Sequence, residues 1–472
     1  MLTIKGIRSG AVLQRDENNV CSVMLTAAFN GIPACSLGEL KTTDGEHWRL
    51  TGIPVGGPYT LTIRDAVECV TFHTIYVGDL WLLAGQSNME GEGRMTPEDA
   101  RYAADPLPFL RAFYMDDTWN PAKPSLHQLY LSADRPHRDT WNRNMENLQK
   151  RGVTNPVYPY RQGVGPGLYF AQEMFRLTDG VPQGLIPTAV GGAPISMWLP
   201  TSDGTQNYYT AACRRIEETG SHIRGVFWAQ GEGNPNAADY PAQIEKIRND
   251  LCERLSVKEI PFVQLQSFKC TLSFTAESDL TWSRFREMQR NMPMRASGLA
   301  TVATNDLELD DCVHLSSDSQ KIAGVRGARA MDHLLVGRGH PEPHLDRVYA
   351  VEDGNVPALF SEVHIRYAHI AGDLQAKGVP FGFMLQKRDT ESVPSMQMFR
   401  KIELHQNEVV LKLEIPLPQL AEYVLWYGYG NAFYCNITDQ GGRAIPSMGP
   451  IPINIESRTA PREEKENAVW ND

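Results

Sequence analysis

Ser87 stands in Gly85-Gln86-Ser87-Asn88-Met89, directly after the apolar run Leu80-Trp81-Leu82-Leu83-Ala84. Such a run reads as a buried strand, so the serine falls where a strand ends and the chain must turn. That is the position at which a parallel sheet exposes a nucleophile. A serine hydroxyl attacks poorly until a base takes its proton and a carboxylate orients that base. Asp311-Cys312-Val313-His314 supplies both groups on one short loop ahead of a helix. The chemistry these residues suit is nucleophilic acyl transfer, which also needs donors aimed at the developing oxyanion. Gly191-Gly192-Ala193 lets backbone N–H groups approach a substrate closely, because side chains are missing. Gln230, in Trp228-Ala229-Gln230-Gly231-Glu232-Gly233-Asn234, brings a side-chain amide, and the Ser87 N–H is a further donor.

Residues this far apart meet only if regular elements carry them to one edge. Between about Gly78 and Arg338, apolar strand-like runs alternate with segments of helical period, the pattern of a parallel sheet flanked by helices. After the run that leads to Ser87, strands are expected at Gly184 to Val190, Ile223 to Gln230, Pro261 to Gln266 and Leu299 to Thr304. Helices are expected at Gly167 to Leu177, Tyr208 to Glu218, Tyr240 to Leu255, Thr281 to Met292 and Ser316 to Leu335. Ser87, the two glycines, Gln230 and His314 then all follow strands at the carboxyl edge of the sheet, where open parallel sheets bind ligands.

Residues 1–77 carry short β-type runs punctuated by Asp44-Gly45 and Gly56-Gly57-Pro58 and read as an N-terminal β-module. Residues 78–338 form the expected catalytic domain. Period-two alternation returns in Val363 to Tyr367 and Glu408 to Leu413, giving a C-terminal β-module over residues 345–457. The polar stretch from about Asp105 to Tyr160 interrupts the α/β rhythm and is expected to be a loop that shapes the substrate cleft. The charged tail from Arg458 is expected to be mobile.

With 472 residues, 42% of them hydrophobic and 21% charged, the chain has ordinary globular composition and enough length for two or three domains. A net charge of -11 argues against nonspecific binding to nucleic acid or an anionic membrane, which rely on clustered Lys and Arg. The expected partners are small or neutral molecules, and the oligomeric state is open. The eight cysteines lack Cys-x-x-Cys spacing, and the first residues lack a signal-peptide pattern, so reduced thiols and a cytoplasmic location are expected. The twelve histidines form no His-rich cluster or HExxH motif, and no metal or other cofactor is expected.

The four blocks, in order, resemble the SGNH hydrolases of the sialate O-acetylesterase and carbohydrate acetylesterase branch: Gly85-Gln86-Ser87-Asn88-Met89, Gly191-Gly192, Trp228-x-Gln230-Gly231-Glu232 and Asp311-x-x-His314. Ala11 to Asp16, Gly57-Pro58-Tyr59 and Val77-Gly78-Asp79 are similar to that family's N-terminal β-module, and Trp426 to Tyr429 with Asn436 to its closing strands. The resemblance implies an α/β fold with a flavodoxin-like three-layer α/β/α hydrolase domain between β-sandwich-like modules. It implies a catalytic triad of Ser87, His314 and Asp311, an oxyanion hole from Ser87, Gly192 and Gln230, and acetylated carbohydrates, oligosaccharides or sialic acid, as substrates. Asp310 competes for the carboxylate role, but its spacing to His314 does not match the motif. His314 is followed by Leu315 where many relatives carry proline. The sequence does not decide which glycine serves the oxyanion.

The alternatives are a broad-specificity short-chain lipase or arylesterase, and a carbohydrate-binding protein with a vestigial hydrolase centre. Glu232 is expected to hold the Gln230 loop. Gly163-Val164-Gly165-Pro166-Gly167 lacks the ending of a nucleotide cradle and is expected to lead into a helix beside the cleft. Trp141 and Trp198 are candidates for stacking on sugars, and Arg94, Arg143 or Arg161 for a sialate carboxylate. Asn436-Ile437-Thr438 fits the glycosylation triplet, without consequence in a cytoplasmic protein.

Overall fold

A computed structural model describes residues 2–42, 44–152, 163–272, 275–356, 358–388 and 393–456. Arg161 and the tail from Arg458 therefore lie outside the described residues. The chain opens with β1 (Val12–Gln14), β2 (Val20–Thr26), β3 (Ala34–Cys35), β4 (Glu39–Thr42), β5 (His47–Pro54), β6 (Gly56–Arg64) and the long β7 (Cys69–Gly85). Then follow α1 (Ser87–Glu90), α2 (Pro97–Ala104), β8 (Leu110–Phe113), β9 (Trp119–Pro121), α3 (Arg135–Lys150), α4 (Pro166–Leu177), β10 (Gln183–Pro187) and α5 (Tyr208–Glu218). The middle closes with β11 (Gly225–Ala229), α6 (Tyr240–Arg254), β12 (Phe262–Leu265), α7 (Ala276–Asn291), β13 (Leu299–Val302) and α8 (Ser317–Val336). The remainder is β14 (His344–Glu352), β15 (Ser361–Ala368), β16 (Leu374–Ala376), β17 (Phe383–Lys387), β18 (Phe399–His405), β19 (Glu408–Leu413), β20 (Tyr423–Tyr427), β21 (Ile437–Asp439), β22 (Met448–Pro452) and β23 (Asn454–Ile455).

The architecture is mixed α/β, with a central mixed sheet and further β-sheets at both ends. Neighbours across the central sheet run β13-β12-β11-β7-β10-β8-β9, all parallel except the β8–β9 pair. From β7 the chain builds first on one side, through β8 and β9 and then β10 between β8 and β7, and afterwards to β11, β12 and β13 on the other. The reversal leaves a crevice at the carboxyl end of β7, where Ser87 stands.

The period of two in β7 explains why its closing run Leu80 to Ala84 is apolar at every position. Trp81 and Leu83 join one buried cluster with Phe170 and Met174 of α4 and Ala328 and Met331 of α8. Leu82 and Ala84 join another with Tyr209 and Ile216 of α5 and Ile244 and Leu251 of α6. Both faces of the strand are covered, so no polar alternation survives. The first half of β7 belongs to the N-terminal layer, pairing antiparallel with β6 and parallel with β1. No break occurs at Val77.

The stretch from Asp105 differs from the loop expected. Leu110–Phe113 is fully buried and pairs with β10, β9 returns beside it, and Arg135–Lys150 is helical. The charges hid this because they satisfy one another: Arg214 on α5 bridges Asp117 and Asp134, and buried Arg215 reaches Asp117. Residues 153–160 of that stretch lie outside the described residues.

The closing β-strands form a five-stranded sheet, β18-β19-β15-β14-β23, and smaller sheets β17-β20-β22 and β16-β21 around one apolar cluster. They are tied to the central sheet by polar bonds. Gln266 Nε2 donates to Ser447 O at 2.9 Å, Asn305 Nδ2 to Ile445 O at 2.9 Å, and Arg326 Nε to Gly442 O at 2.8 Å.

Candidate active site

Gly85 ends β7 with φ of +128°, and a Cβ there would lie 2.1 Å from Ala229 O. Only glycine permits this approach of β7 to β11, and the following Gln86 N–H donates to Ala229 O at 2.7 Å. The chain then turns sharply into α1, which begins at Ser87. The first N–H groups of a helix have no partner within it, which makes the Ser87 amide a candidate donor. Ser87 is 7% exposed, shielded but not sealed.

The other two triad candidates meet directly. Asp311 Oδ2 lies 2.7 Å from His314 Nδ1, and Asp311 Oδ1 accepts from the Val313 and His314 N–H groups, each at 2.8 Å. Burial pulls the Asp311 carboxyl upward, but the hydrogen bonds from His314 and Val313 outweigh it and hold the group below its ordinary value. A carboxylate only accepts, so Nδ1 of the imidazole carries its proton and Nε2 keeps a lone pair. Asp310, the competing carboxylate, accepts instead from the Arg94 N–H at 2.7 Å.

Asn88 joins Ser87 to this loop. Its Nδ2 donates to Val313 O at 3.2 Å and its Oδ1 accepts from the Leu315 N–H at 2.9 Å. One wholly buried side chain next to the serine thus grips both neighbours of the histidine.

The glycine pair is held from the same short helix. Glu90, at the end of α1, accepts the Gly191 N–H on Oε2 at 2.5 Å. A Cβ on Gly191 would come within 3.6 Å of Ser87 Cβ, so this turn lies against the serine. Gly192 follows in the left-handed region at φ +69°, with open space where a Cβ would stand. Since Glu90 occupies the first glycine's N–H, the second is the candidate donor.

Gln230 requires a correction. Its Nε2 donates to Ala193 O at 3.2 Å and to Asn234 Oδ1 at 2.8 Å, and the residue is 1% exposed. Ala193 O can only accept, which fixes the amide with its nitrogen inward and leaves no proton for an oxyanion. Gln230 braces the glycine turn. Asn234 is a further candidate donor: its Oδ1 also accepts from the Ile195 N–H at 2.8 Å, leaving Nδ2 as the donating side of a half-buried amide. The signal was present, since Asn234 closes the same Trp-to-Asn block.

Two further carboxyls stand close by. Burial pushes Glu92 up to about 7, with Glu90 and Asp311 adding to the rise and His314 opposing it. Burial likewise pushes Glu232 up to about 7, against the Glu232 and Phe268 backbone N–H groups. Beneath the site, burial lowers His127 and His137 to about 3, and His127 Nδ1 lies 3.0 Å from Glu90 O.

Of the sugar-stacking candidates, Trp198 is 1% exposed and packs edge-on against Trp228, so it belongs to the core. Trp141 lies against Tyr130. Gly163 to Gly165 lead into α4 and are bridged to Gly91 and Gly93. Of the described candidate arginines, Arg143 bonds Thr140 on α3, and Arg94 is tied by its backbone N–H to Asp310.

A strand-end serine and an Asp–His pair tied to it through Asn88 are the residue types that acyl-transfer hydrolysis needs. The profile of the carbohydrate esterase, sialic acid-specific acetylesterase family matches residues 77–333, more than half of the chain, and the chain belongs to that family. It is a carboxylic ester hydrolase that removes O-acetyl groups from carbohydrates. Its fold is similar to that of a carbohydrate acetylesterase from Xanthomonas citri, with a TM-score of 0.70 and 20% identity over 95% of this chain and 99% of the other. A protein from Arabidopsis thaliana aligns at a TM-score of 0.41 and 22% identity over 54% of this chain and 97% of that one. A carbohydrate esterase family 2 enzyme from Myceliophthora fergusii aligns at 0.32 and 12% over 71% and 99%. No curated protein sequence matches.

Proposed function

We propose that this chain is a serine O-acetylesterase of the SGNH type, acting on acetylated sugars through an acetyl-enzyme. Ser87 Oγ attacks the acetyl carbonyl while His314 Nε2 takes its proton. The tetrahedral intermediate collapses, His314 returns the proton to the departing sugar oxygen, and Ser87 keeps the acetyl group. Water, deprotonated by the same nitrogen, then attacks the acetyl-serine and releases acetate. Asp311 fixes the tautomer and stabilises the imidazolium formed at each step. The oxyanion is received by the backbone N–H groups of Ser87 and Gly192 and by Asn234 Nδ2.

The observation that carries this reading is the Asn88 clamp, which ties both chain neighbours of His314 to the residue that follows Ser87. The strand order also supports it. With the β8–β9 pair beyond β10 set aside, and β7, β10, β11, β12 and β13 counted as first to fifth, the order 2-1-3-4-5 is that of flavodoxin-like sheets, and apolar clusters on both faces suit three α/β/α layers. We further propose residues 1–77 and 345–457 as β-modules flanking the hydrolase domain and a cytoplasmic location.

The test is Ser87→Ala assayed on a chromogenic acetate ester and on acetylated oligosaccharides, with fluorophosphonate labelling alongside. Loss of turnover and of labelling, with the folded circular dichroism spectrum kept, is the expected result. Retained turnover would reject the mechanism.

A further inference from the structure

The loop after β12 lies at the same carboxyl edge as Ser87 and touches two neighbours at once. Thr271 N–H donates to Cys312 O at 2.7 Å, inside the Asp311–His314 loop. The adjacent Cys270 N–H donates to Asn431 O at 3.1 Å, in the C-terminal β-structure. One residue step therefore separates the catalytic loop from the segment after β20. That segment is firmly seated: buried Arg286 donates to Gly428 O and Gly430 O, Gly430 N–H to Ser283 Oγ at 2.8 Å, and Asn431 N–H to Asp279 Oδ1 at 2.7 Å.

From this seat the chain alternates. Phe433, Cys435 and Ile437 point inward, whereas Tyr434 is 59% exposed. Asn436 folds a second segment against it, donating to Lys377 O at 3.0 Å and Val379 O at 2.8 Å and accepting the Phe381 N–H at 2.9 Å. The Phe381 and Tyr434 rings then stand 6.0 Å apart at 59°, and Lys269 Nζ lies 5.8 Å from the Tyr434 centroid. Tyr434 thus presents an exposed aromatic face on a hydrogen-bonded frame with a cation beside it. It matches a pyranose, whose C–H faces pack on aromatic rings and whose hydroxyls accept from an ammonium.

We propose that Tyr434, flanked by Phe381 and Lys269, forms a sugar subsite that holds a neighbouring residue of an acetylated oligosaccharide while the ester lies at Ser87. The inference rests on the serine-esterase reading and extends it: the C-terminal β-structure completes the substrate cleft, and the substrate is an oligosaccharide rather than a free monosaccharide.

The experiment compares kcat/KM on an acetylated tetrasaccharide with kcat/KM on the corresponding acetylated monosaccharide, for wild type, Tyr434→Ala and Tyr434→Trp. The tetrasaccharide-to-monosaccharide ratio is expected to fall roughly five- to tenfold in Tyr434→Ala, through KM, and to return in Tyr434→Trp. An unchanged ratio in Tyr434→Ala overturns the subsite while leaving the esterase reading intact. Absence of wild-type turnover on both sugars overturns both. The exposed position of the ring keeps folding out of the comparison.

Discussion

The amide of Asn88 accepts the N–H of Leu315, the residue after His314, although 226 positions lie between Asn88 and Leu315 in the chain. Its other end donates to the carbonyl before His314, so the imidazole is slung between two points fixed by the nucleophile's neighbour. Asn88 is wholly buried and bonded to both chain neighbours of His314, which makes it a positioning residue. Asn88→Ala is expected to lower kcat about 10- to 100-fold with little change in KM, since each lost buried bond is worth roughly 1–2 kcal/mol. Asn88→Asp keeps the acceptor for Leu315 and is expected to retain more of kcat. Steady-state kinetics on a chromogenic acetate checks both, and a rise in KM with kcat intact would contradict the assignment.

Asp311→Asn keeps the size of the side chain but no longer dictates which ring nitrogen of His314 carries the proton. A loss in kcat on the order of 10³–10⁴ is expected, by analogy with triads of the same geometry. Because hydrogen bonds hold Asp311 below its ordinary value, it is ionised throughout the working range and contributes no inflection there. A pH–rate profile of the wild type reads this directly.

Glu92 titrates inside that range. Pushed up to about 7 by burial and by Glu90, it faces Asp311 and His314 as well, and it becomes anionic as pH rises through 7. The new charge favours the imidazolium that forms in the transition state. Wild-type kcat is thus expected to gain severalfold between pH 6 and pH 8 beyond what Glu92→Gln gains. The two enzymes converge at pH 6, where Glu92 holds its proton. Parallel profiles would refute the coupling.

Glu232 should be visible in stability rather than rate. Its carboxyl rises from 4.5 to about 7 on burial, so the folded state binds the extra proton. Stability is then lost as pH climbs from about 4.5 through 7 and stays lost above. Glu232→Gln is expected to be more stable than wild type at pH 8 by roughly 1–3 kcal/mol and to match it at pH 4. Urea denaturation at the two pH values measures the difference.

Acyl length tests the small space around the nucleophile. With Ser87 only 7% exposed and Gly191 pressed against it, acetate should be turned over well and octanoate poorly. Equal rates across a chain-length series on p-nitrophenyl esters would count against the acetylesterase geometry.

What the sequence disclosed was set by local rules. Strands such as Phe262–Leu265 and helices such as Tyr208–Glu218 announce themselves through apolar runs and helical period, and Asp311 and His314 through their spacing. Two matters were hidden because they are settled by partners distant in the chain. Leu110–Phe113 joins the sheet although polar residues surround it, since Arg214 and Arg215 neutralise the nearby aspartates. Gln230 has the right chemistry for an oxyanion donor, yet Ala193 O claims one of its protons and Asn234 the other. No feature of the block itself distinguishes the two amides.

The strand that delivers Ser87 is one unbroken span from Cys69 to Gly85, whose first half is zipped to the amino-terminal layer and whose second half is the spine of the hydrolase sheet. Trimming the gene back to a minimal catalytic fragment would strip β1 and β6 from that span and leave a raw edge a few residues upstream of the nucleophile. The amino-terminal layer is therefore inseparable from the enzyme, and shuffling it for another module would require a splice in the middle of a strand.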